Sequence, residues 1–213
     1  MVRAMNHRGR FITFEGIDGA GKSTQLAFVA ERLRAAGIDL VVTREPGGTA
    51  LAEQLRELIL HQAMDRDTET LLVFAARCEH LARVIRPALE AGQWVLCDRF
   101  TDATYAYQAG GRGLPAARIA QLEQWVHAEL QPDLTFLVDV PPAVAAQRLA
   151  AARAADRFEA EQEAFFTRVR AVYLERAARE PERFVVLDGT QTPEALRQLL
   201  AGQIEQRVAA WPA

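Results

Sequence analysis

The sequence predicts an α/β fold in which helices cover both faces of a five-stranded parallel sheet. Five short apolar runs have the composition of β-strands, and segments with helical periodicity separate them. Strands that alternate with helices favour parallel pairing, because each return crossing passes through a helix. The length of 213 residues, half of them hydrophobic and a quarter charged, suits a single domain over residues 1–213 and is short for two.

The five predicted strands are short and end at polar residues, glycine or proline. In chain order they are residues 11–15, 38–43, 94–98, 134–140 and 184–188. The second strand leads into a loop at residues 44–49, whose proline and two glycines cannot continue a strand. Ligands in parallel sheets gather at the carboxyl ends of the strands, so polar residues that follow strands are the first candidates for a site.

Helical patterns fill the segments between the strands. The predicted helices are residues 23–36, 50–61, 68–90, 101–108, 115–130, 143–152, 159–179 and 193–209. Gly37 ends the first helix, Pro115 fits the first turn of the fifth, and Pro87 is expected to kink the third near its end. Residues 153–157 interrupt the helical pattern, and we predict a small mobile lid at about residues 150–158.

The most specific motif follows the first strand. Gly16, Gly21, Lys22 and Ser23 fill the P-loop template G-x-x-x-x-G-K-[ST]. Glycines let backbone N–H groups turn toward phosphate oxygens, the next helix presents its positive end, and the lysine and the hydroxyl suit phosphate and Mg²⁺. A plain glycine turn with an exposed lysine is the alternative, but the strand-to-helix position is the context that the motif requires. Lys22 is also the sole lysine of the chain.

Two other strand ends carry candidate residues. Asp98 and Arg99 follow the third strand, where an aspartate near a P-loop commonly orders Mg²⁺ and an arginine can fork onto a phosphate. An ordinary surface ion pair is the alternative. Arg44 ends the second strand beside the glycine turn and could bind the phosphate of an acceptor, unless residues 44–49 only connect a strand to a helix.

Two groups of helical residues are further candidates. Phe74 and Arg77 lie one turn apart and share a face, so they could stack on a base and hydrogen-bond its edge; a core aromatic beside a surface arginine is the alternative. Arg148, Arg153 and Arg157 cluster at the helix break and could close over a transferring phosphoryl group. A solvated helical face explains that cluster equally well.

Composition argues against several classes of partner. The net charge of −3 provides no basic field for nucleic acid, and no apolar run approaches the roughly 18–20 residues of a membrane span. Residues 1–9 are a polar leader without the apolar core of a signal peptide. Cys78 and Cys97 lie in apolar patterns and predict buried free thiols, with no metal-ligand cluster. We therefore expect a cytoplasmic protein that acts on small molecules, with neither nucleic acid nor membrane as partner.

Taken together, these blocks resemble the bacterial thymidylate kinases, a family of P-loop nucleoside monophosphate kinases. The resemblance covers nearly the whole chain after the leader and rests on residues 14–24, 43–49, 74–77, 98–100, 106–108 and 156–159. The P-loop alone is generic, but the Arg-Glu-Pro-Gly-Gly-Thr block combined with Asp-Arg and a downstream Tyr-Gln is specific. The resemblance implies a P-loop NTPase fold, a homodimer, and transfer of the γ-phosphoryl group of ATP to dTMP with Mg²⁺, giving dTDP and ADP in dTTP biosynthesis.

The resemblance also implies roles for single residues. It assigns ATP binding to Gly16, Ile17, Asp18, Gly19, Ala20, Gly21, Lys22, Ser23, Thr24 and Arg148. It assigns dTMP binding to Asp18, Arg44, Phe74, Arg77, Arg99, Thr104, Tyr107 and Gln108. Metal binding is assigned to Ser23 and Asp98, and catalysis to Lys22, Asp18, Arg99, Arg153 and Arg157.

The resemblance implies more about the residue that stacks on the base, the residue near the sugar and the catalytic arginine. Phe74 is expected to stack on the thymine, with an offset of one residue to Val73 left open. Tyr107 would crowd the 2′ position of the sugar and disfavour ribonucleotides. Gly19 stands where one branch of the family carries its catalytic arginine in the P-loop. This implies a catalytic arginine in the lid, with Arg153 and Arg157 as the leading candidates and Arg148 behind them.

Two alternatives remain open at this point. An enzyme of the same class could use another acceptor such as dUMP, since a methyl group offers only about 1–3 kcal/mol of discrimination. A P-loop switch or motor is different in kind. A GTPase needs a lysine in its Asn-Lys-x-Asp element, which this chain cannot supply because its one lysine, Lys22, lies in the P-loop. A motor ATPase often has a glutamate directly after the aspartate, where this chain has Arg99 after Asp98.

Overall fold

A computed structural model describes residues 8–150, 157–158 and 161–211. Five strands form one sheet in the order β2-β3-β1-β4-β5, and every neighbouring pair is parallel. The strands are β1 Phe11–Glu15, β2 Leu40–Arg44, β3 Trp94–Asp98, β4 Leu134–Asp139 and β5 Phe184–Asp188. The predicted five-stranded parallel sheet is confirmed, with boundaries shifted by two residues or fewer.

Nine α-helices are present in the described part of the chain. They are α1 Lys22–Ala35, α2 Ala50–His61, α3 Arg66–His80, α4 Arg86–Glu90, α5 Thr101–Thr104, α6 Ala116–Val126, α7 Pro142–Ala150, α8 Glu163–Arg179 and α9 Pro193–Ala210. Their order between the strands agrees with the predicted alternation. Residues 1–7, which include most of the predicted leader, and most of the predicted lid lie outside the described residues.

The long predicted helix at residues 68–90 is not uniform. A π-helical stretch, Leu81–Ile85, joins α3 to α4, and Pro87 lies in the first turn of α4. Proline lacks the N–H that would bond the carbonyl four residues earlier and clashes with that carbonyl, so a wider helical turn relieves the conflict. A second π-helical stretch, Tyr105–Gly111, extends α5 three residues beyond the predicted helix at residues 101–108.

Burial follows from the position of each strand. All five residues of the central strand β1 are buried, and Phe14 packs against Phe136 of β4 at 5.0 Å between ring centroids. Cys97 in β3 is a buried free thiol as expected, whereas Cys78 is exposed, so that prediction was wrong for one of the two. No helix among the described residues combines the length and the apolar content needed to cross a membrane.

The sheet brings the candidate residues together at one edge. Phe14 of β1 and Arg44 of β2 both pair in register with Asp98 of β3. Backbone bonds continue past the strand ends, from the Glu45 N–H to the Asp98 carbonyl and from the Arg99 N–H to the Phe14 carbonyl, both at 2.9 Å. The P-loop, residues 44–49 and Arg99 therefore start from neighbouring positions on a rigid support.

Candidate active site

The P-loop geometry depends on glycine. Gly16 and Gly19 have φ angles of 135° and 80°, in the region that other residues rarely adopt. A Cβ atom would lie 2.5 Å from the Val138 carbonyl oxygen at Gly16 and 2.4 Å from that of Ala145 at Gly19. The backbone can therefore curl tightly against β4 and α7 only without side chains at these positions.

Helix α1 leaves the loop with its N-terminal N–H groups available. Its cap is Gly21, which provides no side-chain hydrogen bond, and its first turn contains no acidic residue. Uncapped N–H groups and the positive end of the helix dipole favour an anion at this point. Arg148 lies beside the loop, where it donates to the carbonyls of Ala20 at 3.3 Å and Gly189 at 2.9 Å.

The lysine of the motif is folded back onto the loop. Lys22 Nζ donates to the carbonyl oxygens of Gly16 and Ile17, both at 3.1 Å, and the side chain is only 6% exposed. Burial, and then the charge of Arg99, lower the pKa of Lys22. A phosphate group would offer this ammonium a full negative charge in place of two carbonyl dipoles.

A half-open cavity lies next to the P-loop, between residues of the β2–α2 loop, α2, α3 and α5. Of the predicted dTMP-binding residues, those that line it are Asp18, Arg77, Arg99, Thr104, Tyr107 and Gln108. Apolar side chains, among them Ile59, Leu60 and Val73, complete the wall. Apolar walls with a few convergent polar groups are typical of small-molecule sites.

Asp18, Arg99 and Tyr107 join the P-loop to this cavity. Arg99 Nη2 donates to Asp18 Oδ1 at 2.7 Å and to the Tyr107 hydroxyl at 3.0 Å, and that hydroxyl donates to Asp18 Oδ2 at 2.8 Å. Burial opposes ionisation of Asp18, but Arg99 and Lys22 outweigh it and lower the pKa of the carboxyl well below its usual range. Arg99 has a φ angle of 70°, which is unusual for a residue other than glycine and common at functional sites.

Arg77 of α3 lines the cavity and is held by buried hydrogen-bond partners. Its Nε donates to Glu45 Oε2 at 2.7 Å and its Nη2 to the Thr104 hydroxyl at 3.0 Å, and His80 supports the other oxygen of Glu45 at 3.0 Å. Arg77 is 1% exposed, and its Nη1 is buried without a hydrogen-bond partner among the described residues. A buried unpaired donor is costly, and an oxygen of a bound ligand would satisfy it.

Two predicted substrate residues lie outside this cavity. Arg44 is 53% exposed and forms a two-point contact with Glu53 of α2, at 2.7 and 3.2 Å. Phe74 packs with Leu114 and Ile119, and the Arg77 guanidinium lies 4.9 Å from its ring centroid. Val73, the alternative that was left open, is the residue that lines the cavity.

A second, more open cavity lies between α1, β2 and the end of β3. Ser23, Arg44, Glu53 and Asp98 are among the residues that line it. Asp98 Oδ1 is buried without a hydrogen-bond partner among the described residues, as expected of an oxygen that serves a cation. No group of three or more His, Cys, Asp or Glu side chains suited to a metal occurs in the described part of the chain. One carboxylate and one hydroxyl suit Mg²⁺, which takes its other ligands from phosphate and water.

Arg56 is a candidate site residue that the sequence patterns did not indicate. It lines the half-open cavity from α2 and donates from Nη1 to the Pro46 carbonyl at 2.9 Å. Burial, and then the charges of Arg44 and Arg99, lower the pKa of Arg56, so an anion between these arginines would relieve their repulsion. Its spacing three residues after Glu53 was the available signal, but in a chain with this many arginines that spacing does not stand out.

Two described residues of the predicted lid contact the rest of the site, Arg157 at α2 and α3 and Phe158 at the cavity wall. Arg157 donates to the Ile59 carbonyl from Nε at 3.1 Å and Nη2 at 2.8 Å, and from Nη2 to Glu69 Oε2 at 2.6 Å. Phe158 lines the cavity, with its ring centroid 5.8 Å from that of Tyr107. Arg153, the other predicted lid arginine, lies outside the described residues.

Fold and site together define the class of protein. A parallel sheet with a glycine-rich loop running from its central strand into the N-terminus of a helix is the arrangement of the P-loop NTPases. The predicted P-loop NTPase fold is confirmed by similarity to a solved structure. Thymidylate kinase from Ehrlichia chaffeensis superposes with a TM-score of 0.74 at 34% identity, over 94% of this chain and 99% of that chain.

Sequence comparisons identify the family. The family model described as thymidylate kinase matches residues 14–200. Thymidylate kinase of Bordetella pertussis is 57% identical over 96% of this chain and 99% of its own length. Thymidylate kinase of Cupriavidus metallidurans is 62% identical over 91% of this chain and 96% of its own length. The chain belongs to the thymidylate kinase family, which confirms the resemblance drawn from the sequence.

Proposed function

We propose that this protein transfers the γ-phosphoryl group of ATP to dTMP. A phosphate oxygen of dTMP attacks the γ-phosphorus, the bond from that phosphorus to the β–γ bridging oxygen breaks, and ADP and dTDP result. The observation that carries the proposal is the half-open cavity joined to the P-loop through the contacts of Asp18, Arg99 and Tyr107. ATP, the phosphoryl donor, would lie on the P-loop and dTMP, the phosphoryl acceptor, in the cavity. The two would meet at these residues.

The donor side acts mainly through backbone groups and one lysine. The uncapped N–H groups of α1 would hold the phosphates, and Lys22 would exchange its two carbonyl partners for phosphate oxygens. Ser23 and Asp98 would hold Mg²⁺, which supplies neutralising charge to the transferring group. Arg148 would contact ATP from α7, beside the loop.

The acceptor side positions dTMP with side chains from several elements. Arg99 and Arg56 would bind its phosphate, because both are cationic groups of the cavity. Arg77 would donate its free Nη1 to a carbonyl oxygen of the thymine, and Val73 would support the base in place of Phe74. Tyr107 would crowd the 2′ position of the sugar, and Thr104 and Gln108 would line the base end.

The roles proposed for Arg44 and Arg157 differ from those that the resemblance implied. Arg44 would act at the open cavity, near the metal and the transferring phosphate, once a ligand competes with Glu53 for its guanidinium. Arg157 is already engaged by the Ile59 carbonyl and Glu69, which favours Arg153 as the lid arginine that stabilises charge on the transferring group. Closure of the lid would also exclude water as a competing acceptor.

We further propose a cytoplasmic homodimer. Trp125 of α6 is 82% exposed and Leu71 of α3 is 55% exposed, and both line one surface depression. Large apolar side chains that are exposed together favour burial against a second copy of the chain. Light scattering on the purified protein would test this, and a monomer at all concentrations would contradict it.

The decisive experiment measures ADP release from Mg·ATP with dTMP, dUMP, dCMP, dGMP, UMP or no acceptor. Release that depends on dTMP and is strongest with it is the expected result. Stronger release with another monophosphate would retain the phosphotransfer but overturn the base assignments at Arg77 and Gln108. Release that is indifferent to every acceptor would overturn the proposed function.

A further inference from the structure

Glu69 of α3 is a buried carboxylate that the proposed function does not use. It is 1% exposed, and its three partners come from two parts of the chain, Gln108 and Arg112 from the π-helical stretch and its cap and Arg157 from the lid. Gln108 Nε2 donates to Oε1 at 2.8 Å, Arg157 Nη2 donates to Oε2 at 2.6 Å, and Arg112 Nε lies 3.4 Å from Oε2. Burying a carboxylate is costly unless it is paired and hydrogen-bonded, and these three contacts meet that requirement.

The contact with Glu69 fixes the orientation of the Gln108 amide. A carboxylate with guanidinium partners only accepts hydrogen bonds, so the Gln108 atom that faces it must be the donor Nε2. The amide oxygen Oε1 then occupies the opposite side of the group. No donor bonds to Oε1 among the residues that the structure describes, and Gln108 lines the acceptor cavity. Gln108 therefore presents an acceptor, not a donor, to a ligand in this cavity.

Arg77 presents the complementary group nearby. Its Nη1 is a buried donor without a partner among the described residues, and its Nη2 bonds to Thr104, which lies one helical turn before Gln108. A donor beside an acceptor matches thymine, whose O4 accepts and whose N3–H donates. Cytosine presents the reverse pattern, since its amino group donates and its N3 accepts.

We propose that Glu69 is a positioning residue that holds the Gln108 amide with its oxygen toward the base and thereby sets the preference for thymine over cytosine. This proposal rests on the proposed function, because it requires a pyrimidine in the cavity. Glu69 itself touches no substrate and acts through Gln108. With Glu69 changed to glutamine, the side chain at position 69 could accept or donate a hydrogen bond. The Gln108 amide would then be free to flip, which exchanges the positions of its oxygen and nitrogen.

The same carboxylate anchors one wall of the cavity. Arg157, held by Glu69 and the Ile59 carbonyl, precedes Phe158, whose ring lies against Tyr107 in the cavity wall. Loss of Glu69 would therefore loosen this wall for every acceptor, whereas the turned amide would change discrimination between bases. The two effects separate in the kinetics, because only the second changes the ratio between acceptors.

The test compares the full-length protein with its Glu69→Gln variant, using saturating Mg·ATP and either dTMP, dUMP or dCMP. The preference for dTMP over dCMP in kcat/KM should fall by about tenfold or more, since a polar mismatch with the site would be relieved. The ratio of dTMP to dUMP should stay within about twofold, because both bases share the same O4 and N3–H pattern. The KM for ATP should change by no more than about twofold.

Glu161→Gln is the matched control. Glu161 also pairs with Arg112 but has no contact with Gln108, so its loss should leave the preference for dTMP over dCMP unchanged. A double variant of Glu69→Gln with Gln108→Leu should show the same ratio as Gln108→Leu alone, as expected if Glu69 acts through Gln108. An additional change in the ratio in the double variant would overturn that route.

An unchanged dTMP to dCMP ratio in folded Glu69→Gln protein would overturn the proposal while leaving the proposed function intact. A wild-type protein that releases no additional ADP with dTMP would overturn the proposed function itself. If Glu69→Gln does not give folded protein by circular dichroism, Glu69→Asp answers the same question, because it keeps the charge but shortens the reach to Gln108. A fall in the ratio would then support the proposal, and an unchanged ratio would overturn it.

Discussion

The proposed donor side, which would bind ATP, and the proposed acceptor side, which would bind dTMP, are built in different ways. The donor side is one contiguous stretch, in which glycine backbone geometry, a helix N-terminus and Lys22 follow one another. The acceptor side is assembled from side chains of separate segments, each held by a buried partner, as Glu45 holds Arg77 and Glu69 holds Gln108. A contiguous backbone site can be recognised in a sequence, whereas a site made of paired side chains depends on the packing of distant elements.

The two sides also differ in how they should respond to substitution. Removing one side chain from the donor side leaves the backbone N–H groups in place, so the fold should survive even when turnover is lost. Removing one side chain from the acceptor side leaves a buried charge or donor without its partner, which affects stability as well as binding. The following predictions test this difference, beginning with the largest expected effect.

Lys22→Met should lower turnover by about 10²–10³-fold, the usual cost of losing one charge-stabilising donor in an active site. The melting temperature should change little, because the bonds of Lys22 in the free protein are to two loop carbonyls. Steady-state ADP release and thermal unfolding measure the two quantities. Lys22→Arg should not restore activity, since a planar fork does not replace a compact ammonium group. Turnover near the wild-type value in either variant would refute the role of the P-loop.

Arg77→Lys should raise the KM for dTMP by about tenfold or more and leave the KM for ATP within about twofold, since lysine keeps a charge near Glu45 but loses the fork that reaches the base. Initial rates with each substrate varied in turn measure both constants. Arg83→Lys is a matched control, because Arg83 is an exposed arginine whose partner Glu79 is one helical turn away on the surface. A larger change for ATP than for dTMP would exclude Arg77 as a base-binding residue.

Glu15→Gln should change how stability depends on pH. Burial, with the nearby charge of Asp102, raises the pKa of Glu15 to about 8 from 4.5. Folded Glu15 keeps its proton up to about pH 8 and the unfolded side chain releases it near pH 4.5, so the folded state binds more protons in between and its stability falls as pH rises.

The glutamine variant lacks this titration. Relative to wild type, its free energy of unfolding should therefore increase between pH 4.5 and 8 by at least about 1.4 kcal/mol, the value of one pKa unit. Urea unfolding at several pH values measures the difference. A constant difference between the two proteins over this interval would contradict the raised pKa.

Tyr107→Ala should narrow the preference for dTMP over the ribonucleotide acceptors by a few-fold, with Tyr107→Phe giving a smaller change because it keeps the ring. The alanine variant removes both the ring and the hydroxyl that bonds Asp18, whereas phenylalanine removes only the hydroxyl. Competition between deoxyribose and ribose monophosphates measures the preference. An unchanged ratio in the alanine variant would exclude Tyr107 as the residue that senses the 2′ position.

The parts of the molecule that local chemistry determines could be predicted from the sequence. The strands follow from apolar runs that alternate with helical segments, and the P-loop and the family follow from contiguous motifs. Cys78 and the helix at residues 68–90 show where pattern alone is insufficient, since an apolar context did not bury the thiol and Pro87 is preceded by a π-helical turn.

The set of residues that line the acceptor cavity was harder to predict, and the reasons are physical. Val73 and Phe74 are both within one turn of Arg77, and only packing against Leu114 and Ile119 decides that Phe74 turns away from the cavity. Arg44 has the right position on its strand, but Glu53 of the next helix binds its guanidinium. Arg56 carries no local mark that separates it from the other arginines of the chain.

The single lysine has a consequence for chemical labelling. Since the chain contains one lysine, Lys22 and the α-amino group are its only aliphatic amines. Lys22 is 6% exposed and bonded to loop carbonyls, so amine-selective acylation of the folded protein should modify the α-amino group first. A second acyl group, counted by intact mass, would then report how often the loop releases its ammonium to solvent, and bound nucleotide should slow its appearance.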